Sequence, residues 1–355
     1  MKRFSVLLLS GCLCLPFIQG QGVASILDRT PETLVQVHQS AFFNNTEFGH
    51  SQWEMPQTMA GVHVAPAVGL RWDSTHTVVV GVDLLKEFGS ENLVDYSELV
   101  AYYRYEKGAN RFTMGAFPRE DVLDDYPRLF FSDSIRNYRP LMTGFCWEYR
   151  RGASYLKAWL DWTSRQTTQR HEAFFMGETF RLDLGPAYLQ HYGYMYHFAG
   201  VMNPPAFDAL HDNGLYLTSI GSDLTSWINL GPLDKLDLNV GWVAGLEDAR
   251  GTTKWMAHHG MLAKLELDWW KVGLENSFYL GEGQMAFYND HGNLLYWGDR
   301  LFRADSYNRT DFKINFITSP TVNVRLMYSF HAAEGTVYHE QALYATVRLN
   351  ALTKR

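Results

Sequence analysis

The feature that most restricts the fold of this 355-residue chain is a strict alternation of apolar and polar side chains along many long segments. The segment 236–244 places Leu, Leu, Val, Trp and Ala on one face and Asp, Asn, Gly and Val on the other. Segments 62–72, 261–269, 322–331 and 343–350 repeat the pattern. A period of two indicates a β-strand whose faces meet different surroundings. Since helical spacing is almost absent, the sequence predicts an all-β protein.

The length of these strands distinguishes between the two all-β architectures that alternate in this way. Strands of soluble β-sandwiches usually have about 5–6 residues, whereas a tilted strand that crosses a bilayer has about 9–11. The alternating segments here match the longer class, and beyond the N-terminus no apolar run reaches the ~18 residues of a membrane helix. The sequence therefore predicts a transmembrane antiparallel β-barrel, with a pair of soluble sandwiches as the alternative.

Counting the segments gives about 16 strands, within a range of 14 to 18. They are predicted near 34–44, 62–72, 75–86, 96–106, 110–117, 141–150, 154–163, 172–183, 186–198, 214–228, 235–245, 257–269, 271–281, 307–317, 321–331 and 338–350. The links between them alternate between short and long. Tight turns on one side and long loops on the other are typical of outer-membrane barrels, so we expect short periplasmic turns and long extracellular loops.

The aromatic content fits the same plan. The chain has 20 Tyr, 22 Phe and 11 Trp. Eight of these rings have outward parity near strand ends, and a ring prefers the headgroup level of a bilayer. Beside short turns these are Trp72, Tyr105, Phe112, Tyr149 and Trp269, and beside long loops Phe43, Trp242 and Phe330. They predict two aromatic girdles.

The N-terminus has the pattern of a secretory signal peptide. Lys2 and Arg3 precede an apolar stretch, and small residues follow at Gly20 and Gly22. We expect residues 1–20 to be the signal peptide and residues 21–355 a single barrel domain. Leu9-Ser10-Gly11-Cys12 also has the form of a lipoprotein signal, which leaves acylation of Cys12 as an alternative.

Charge and cysteine content exclude several classes. The chain has 31 Lys plus Arg against 38 Asp plus Glu, a formal charge of −7, which argues against a nucleic-acid partner. Three Cys are too few for a disulfide scaffold, and only Cys146 lies beyond the signal peptide. We therefore expect no disulfide inside the barrel domain.

The connector 118–140 is unusually charged, and the predicted inner wall carries many charges of both signs. In these features, and in strand number and loop pattern, the chain resembles 16-stranded outer-membrane porins, in architecture and without a motif-level match. In that family the long loop after strand five folds into the lumen, and the resemblance implies that connector 118–140 narrows the pore here. The implied constriction residues are Glu120, Asp121, Asp124, Asp125, Arg128, Arg136 and Arg139 on the loop, with Arg71, Arg104, Arg150 and Arg181 on the wall.

These observations predict a channel in the outer membrane of a Gram-negative bacterium, for passive diffusion of small hydrophilic solutes. The alternatives are a channel specific for sugars or organic anions, a barrel enzyme, and an adhesin or receptor. Tyr102, Trp159 and Tyr344 would line a sugar track in the specific channel. The expected partners are the lipid bilayer and the solute, and the resemblance to porins leaves a homotrimer open.

Sequence motifs for catalysis or metal binding are sparse. There is no Gly-x-Ser-x-Gly segment, and His171-Glu172 and His339-Glu340 lack the second His of a zinc helix. His258-His259-Gly260 begins a strand at the outer rim without an obvious partner. Segment 289–293 and the residues Asp305, Asn308 and Asp311 are rich in oxygen ligands that could hold calcium, although turns explain the first cluster equally well. The sequence therefore predicts no cofactor, no metal, no catalytic residue and no enzymatic activity.

Overall fold

The computed structural model describes residues 31–203 and 210–353. Sixteen strands form one sheet in these ranges. They are β1 (Glu32–Glu47), β2 (Gln57–Trp72), β3 (His76–Glu87), β4 (Tyr96–Lys107), β5 (Asn110–Pro118), β6 (Leu141–Arg151), β7 (Ser154–Ser164), β8 (Ala173–Asp183), β9 (Tyr188–Phe198), β10 (His211–Asp223), β11 (Lys235–Ala249), β12 (Met256–Trp269), β13 (Val272–Gly281), β14 (Ser306–Thr318), β15 (Val322–Ala333) and β16 (Thr336–Thr353). The predicted signal peptide and the alternative acylation of Cys12 lie outside the described residues.

Each strand pairs antiparallel with its neighbours in sequence, and β1 pairs with β16 to close the barrel. The closing register places Phe42 opposite Tyr344. Closure leaves no sheet edge with unpaired backbone groups. The predicted all-β antiparallel barrel of 16 strands is therefore confirmed. Among the described residues, no helix is long and apolar enough to cross a membrane.

The alternation of link lengths has two exceptions, one on each side of the barrel. β10 ends at Asp223 rather than near residue 228, because the Asp223 side chain accepts a hydrogen bond from the Thr225 backbone N–H and caps a 3₁₀ turn at Leu224–Ser226. Segment 224–234 is therefore a longer link on the short-turn side. On the other side, β15 and β16 are joined by Glu334 and Gly335, whose positive φ angles of 57° and 73° suit a tight hairpin.

The outer face of the wall is apolar, as the alternation predicts. Tyr149 and Trp269 are 40% and 52% exposed near the short turns, and Phe43 and Trp242 are 42% and 51% exposed on the outer face. Their neighbours along each strand point inward, as Phe42 does at 4% exposure. The two faces of each strand therefore meet lipid outside and the barrel interior inside.

Two long loops fold into the interior and pack on each other. Loop 119–140 contains helices α1 (Glu120–Leu123) and α2 (Asp133–Tyr138), and loop 282–305 contains α3 (Tyr288–His291) and 3₁₀ turns at Gly292–Leu294 and Arg300–Arg303. Backbone hydrogen bonds join the loops, from Ser132 N to Trp297 O and from Asp299 N to Arg128 O, both at 2.8 Å.

These loops form an apolar core inside the barrel. Leu129, Phe130 and Phe131 are at most 1% exposed, and the Phe131 ring lies 5.8 Å from Phe175 of the wall and 6.4 Å from Trp297 of the second loop. A Cβ atom on Gly298 would lie 2.1 Å from the Leu129 carbonyl oxygen, so the approach of the loops requires glycine there. The sequence predicts an aqueous lumen at this strand number, whereas the structure fills part of it with buried rings.

Replacement of Phe131 with Ala should destabilise the docked loops strongly. A buried Phe→Ala change typically costs about 3–5 kcal/mol, because apolar contacts are lost and a cavity remains. We expect a lower denaturant midpoint for the barrel in detergent and faster proteolysis of loop 119–140. Phe88→Ala is the matched control, since Phe88 is 61% exposed. Equal stability of the two variants would show that the loops do not depend on this packing.

The contact between Glu54 and loop 282–305 should depend on pH. Glu54 lies 3.1 Å from Arg300, and burial raises the pKa of its carboxyl from 4.5 to about 7. A raised acid pKa means that the folded protein binds the proton of this carboxyl more tightly than the unfolded chain does. Protonation of Glu54 therefore stabilises the folded state fully below pH 4.5, and this stabilisation is lost as the pH rises through 7.

Glu54→Gln, which stays neutral, should remove that part of the pH dependence. The unfolding midpoint, followed by tryptophan fluorescence between pH 4.5 and 8, should fall more steeply with pH in the unaltered protein than in this variant. Glu91→Gln at an exposed loop position is the control. Parallel pH profiles for the unaltered protein and Glu54→Gln would contradict the assignment.

Candidate functional site

The acidic half of loop 119–140 faces basic residues of the inner wall. Glu120 accepts a hydrogen bond from Arg348 at 2.6 Å, and Asp121 pairs with Arg104. Asp125 lies 3.3 Å from the Lys157 ammonium group. Cavities of about 620 and 650 Å³ lie on the two sides of Glu120, Asp121 and Asp124. The loop therefore lies between two cavities inside the barrel, and charged side chains line both of them.

Asp124 borders both cavities. Burial, and then the neighbouring charge of Asp125, raises the pKa of its carboxyl. The basic residues nearby therefore compensate only partly for the burial of Asp124 and its repulsion by Asp125.

The other predicted constriction residues lie in different places. Arg150 binds the Glu148 carboxylate at 2.6 Å and borders the second cavity with Arg181, whose guanidinium lies 3.5 Å from the centre of the Tyr188 ring. Arg71 donates to the carbonyl of Ser74 in the turn after β2, at 3.3 Å. Arg139 lies over the Trp297 ring. The structure therefore brings Arg104 to the loop acids directly, and a constriction role for the whole set stays a prediction.

Arg128 and Arg136 belong to the packing of the loop. Arg136 donates to the carbonyl oxygen of Tyr126 in the same loop. Arg128 contacts the carboxylates of Asp133, at 2.8 Å, and Asp311, at 3.2 Å. Arg309 of β14 also binds the Asp133 carboxylate, at 3.1 Å. Burial opposes ionisation of Asp133, yet Arg128 and Arg309 hold its pKa well below its usual range. Complementary charges thus fix α2 to the wall, since a buried charge is tolerated only when it is paired.

Two inward-facing histidines have both ring nitrogens engaged. His63 lies 2.6 Å from the Asp83 carboxylate through Nδ1 and 2.8 Å from the Asn137 carbonyl oxygen through Nε2. His331 contacts the Tyr307 hydroxyl at 2.7 Å and the Glu340 carboxylate at 3.0 Å. A general base needs a free lone pair that can reach a reacting proton. These two rings therefore serve to hold loops and strands together.

A histidine on the outer face has a different arrangement. His197, the penultimate residue of β9, places Nδ1 2.9 Å from Asp212 Oδ1 near the start of β10. The Asp212 side chain is 1% exposed, whereas that of His197 is 19% exposed. When Nδ1 donates to the carboxylate, the lone pair of the imidazole lies on Nε2. The pair therefore has the orientation of a general base and its supporting acid.

Arg250 completes this group at the end of β11. Its Nε donates to the second Asp212 oxygen, and half of its side chain is exposed. On the other side, the Phe174 ring lies 5.0 Å from His197, and Trp162 lies 5.0 Å from Phe174. All of these residues lie beside long loops, so the group is at the extracellular end of the wall. The aromatic rings of Trp162 and Phe174 flank His197 on one side, and the exposed guanidinium of Arg250 lies on the other.

The sequence alone did not predict this group. Its candidates for a catalytic residue at the outer rim were the histidines at 258 and 259, and in the structure His259 stacks on Trp242 at 5.2 Å. His197 and Asp212 are on different strands, and neither stands in a motif. One sequence feature could have indicated the pair: a His and an Asp have outward parity on neighbouring strands, where most outward residues face lipid. Among residues 31–203 and 210–353, no group of three or more His, Cys, Asp or Glu side chains is arranged to hold a metal ion.

Solved structures of an outer-membrane protein share the barrel fold of this chain. OmpT of Vibrio cholerae matches with a TM-score of 0.55 at 10% identity, over 91% of this chain and 100% of that chain. A trimer form of that protein, folded in vitro, matches with a TM-score of 0.51 at 10% identity, over 90% and 99% of the two chains. OprD of Pseudomonas aeruginosa matches with a TM-score of 0.47 at 10% identity, over 90% of this chain and 96% of that chain. No curated protein sequence matches significantly.

A family model described as lipid A 3'-O-deacylase-type matches residues 27–354. Deacylases are enzymes, so the sequence-based prediction of no enzymatic activity is wrong, and the match favours the barrel enzyme that the sequence left as an alternative. The match spans almost the whole chain, and the barrel fold agrees with the outer-membrane location of this class. The protein is thus an outer-membrane β-barrel of Gram-negative type, and it belongs to the lipid A 3'-O-deacylase-type family.

Proposed function

We propose that this protein hydrolyses an ester-linked acyl chain of a lipid A-type glycolipid, with His197 as general base. The observation that carries the proposal is the His197–Asp212 hydrogen bond on the outer wall, at the extracellular end of β9 and β10. The family match supplies the substrate class. A membrane lipid reaches this surface by lateral diffusion and need not enter the barrel.

The depth of the group suits an ester bond. The esters of a glycolipid lie where the acyl chains meet the headgroup, and His197 lies where the lipid-facing wall meets the long loops. Trp162 and Phe174 offer apolar rings to the acyl chain. Arg250 offers a half-exposed guanidinium to a phosphate of the glycolipid headgroup.

The proposed reaction is a general-base hydrolysis. His197 Nε2 takes a proton from water, and the resulting hydroxide attacks the ester carbonyl to form a tetrahedral intermediate. The bond between the acyl carbon and the sugar oxygen then breaks, and the imidazolium gives its proton to the leaving sugar alkoxide. The products are a free fatty acid and a sugar hydroxyl. Asp212 holds the ring in the correct tautomer and stabilises its positive charge.

His197→Gln and Asp212→Asn should each lower the rate of fatty-acid release by about 10²–10⁴-fold, the usual contribution of a positioned base. The measurement uses purified protein in vesicles that contain hexa-acylated lipid A, with mass spectrometry of the released acid and of the product. Arg250→Gln should raise KM more than it lowers kcat, since its cation binds the substrate.

His259→Ala is the matched control, because His259 also faces outward near a long loop, but its ring stacks on Trp242 and the described carboxylate contact, from Glu282, is to its backbone N–H. It should leave the rate unchanged. An unaltered protein that releases no fatty acid, or a His197→Gln variant of full activity, would refute the proposal.

A second candidate function is passage of small hydrophilic solutes, which is compatible with hydrolysis at the outer wall. It is favoured by the two charged cavities on either side of loop 119–140. The loop acids and the wall bases there would select solutes by charge. A substrate-specific channel would use the same cavities.

Planar-bilayer recording tests this second function. The unaltered protein should show steady conductance, and Asp121→Asn with Asp124→Asn should shift ion selectivity toward anions, because two negative charges leave the cavity wall. Glu91→Gln, on an exposed loop, is the control. Absence of conductance at any voltage would exclude passive diffusion, and unchanged selectivity would exclude a constriction at these acids.

A further inference from the structure

The outer wall carries a second polar group, in the middle of the strands. His191 Nδ1 lies 2.8 Å from the Thr218 hydroxyl, and His191 Nε2 lies 3.6 Å from the Glu178 carboxylate. The Glu178 side chain is 46% exposed. These residues have the same outward parity as the exposed Met176 and Ile220. An ionisable group is therefore presented to the lipid.

The depth of this group is unlike that of His197. Glu178 is the central residue of β8, and its partner across the sheet on β9 is Gly193. His191 pairs with Thr218 in the next row. The acyl chains around the middle of the wall offer no hydrogen bonds, so exposed charge there is costly. Esters of a glycolipid lie nearer to the surface, which argues against the same substrate at this depth.

A glycine, Gly193, separates Glu178 from Tyr216 on the outer wall. Ala158, Glu178, Gly193 and Tyr216 stand side by side on β7 to β10. A Cβ atom on Gly193 would lie 2.5 Å from the Glu178 carboxylate and 2.9 Å from the Tyr216 ring, so both side chains lie across this glycine. A Cβ atom on Gly214 would lie 3.0 Å from the same ring. Small residues allow close approach of a second surface in a membrane.

We propose that this lateral patch, formed by Ala158, Glu178, His191, Gly193, Tyr216 and Thr218, is where two copies of this chain meet in the membrane. The patch carries an acceptor in the Glu178 carboxylate and a donor in the Tyr216 hydroxyl, while the His191 ring is held by Thr218 and Glu178 within the same patch. The patch can therefore form hydrogen bonds with the same patch of a second copy, whereas lipid tails cannot form them. A two-fold axis along the membrane normal brings the same patch of both copies together at one depth. A self-complementary patch fits a dimer, whereas a trimer joins two different surfaces.

The first test is the mass of the full-length protein in detergent, measured by light scattering after size exclusion. The unaltered protein should be a dimer, and Glu178→Leu combined with His191→Leu and Thr218→Val should be a monomer. The matched control is Gln39→Leu, which removes an exposed polar side chain from the outer face of β1, away from the patch. It should remain dimeric. Heat-modified gel mobility shows that each barrel is folded.

The second test places single cysteines on the outer wall in lipid vesicles. Ala158→Cys lies in the patch and should form a crosslinked dimer with a short bifunctional reagent, whereas Leu343→Cys on β16 should not. The native Cys146 is buried and faces the interior. A monomer or trimer of the unaltered protein would overturn the proposal. So would a triple variant that loses fatty-acid release but keeps its dimeric mass, because that result would assign the patch to catalysis.

Discussion

The hydrogen-bonded pairing of β1 with β16 is the constraint on which the rest of this molecule depends. Inside a bilayer no water replaces a missing backbone partner, so a sheet can cross the membrane only when it closes on itself. The register from Thr33–Thr353 to Glu47–His339 provides that closure. It fixes which side chains face lipid and which face the interior. The outer His197 group and the inner charge network are both consequences of it.

Closure also creates an interior that the wall alone does not fill. A barrel of this strand number is wide enough for a channel, and here loops 119–140 and 282–305 occupy part of the space. Their association combines buried rings, such as Phe131 and Trp297, with paired charges, such as Asp133 between Arg128 and Arg309. The apolar contacts favour docking, and the paired charges determine where α2 lies against the wall.

The interior and the outer wall thus support different chemistry. Inward histidines such as His63 are held by two partners, which suits a structural role. His197 is held by one carboxylate at the edge of the lipid-facing surface. For the proposed hydrolysis of a lipid A-type glycolipid, a site on the outer wall would have the advantage that a membrane lipid already surrounds it.

Much of the fold was predictable because a strand has a period of two and a bilayer has a fixed thickness. The alternation along 236–244 gave the faces of β11, and the link lengths gave the sidedness of the turns. The end of β10 was placed too late because the cap at Asp223 depends on one side-chain hydrogen bond. The His197–Asp212 pair was missed because strand register, not sequence spacing, brings these two residues together.

By itself, the sequence determined the all-β class, the crossing of the membrane, and the two-sided character of the wall, since these follow from side-chain order along single strands. Only the tertiary structure decided that two loops fill part of the interior. It also decided that Asp121 meets Arg104, and that a histidine and an aspartate share the outer rim. The physical reason is that local order fixes the faces of a strand, whereas contacts between distant segments depend on closure, register and the packing of buried rings and charges.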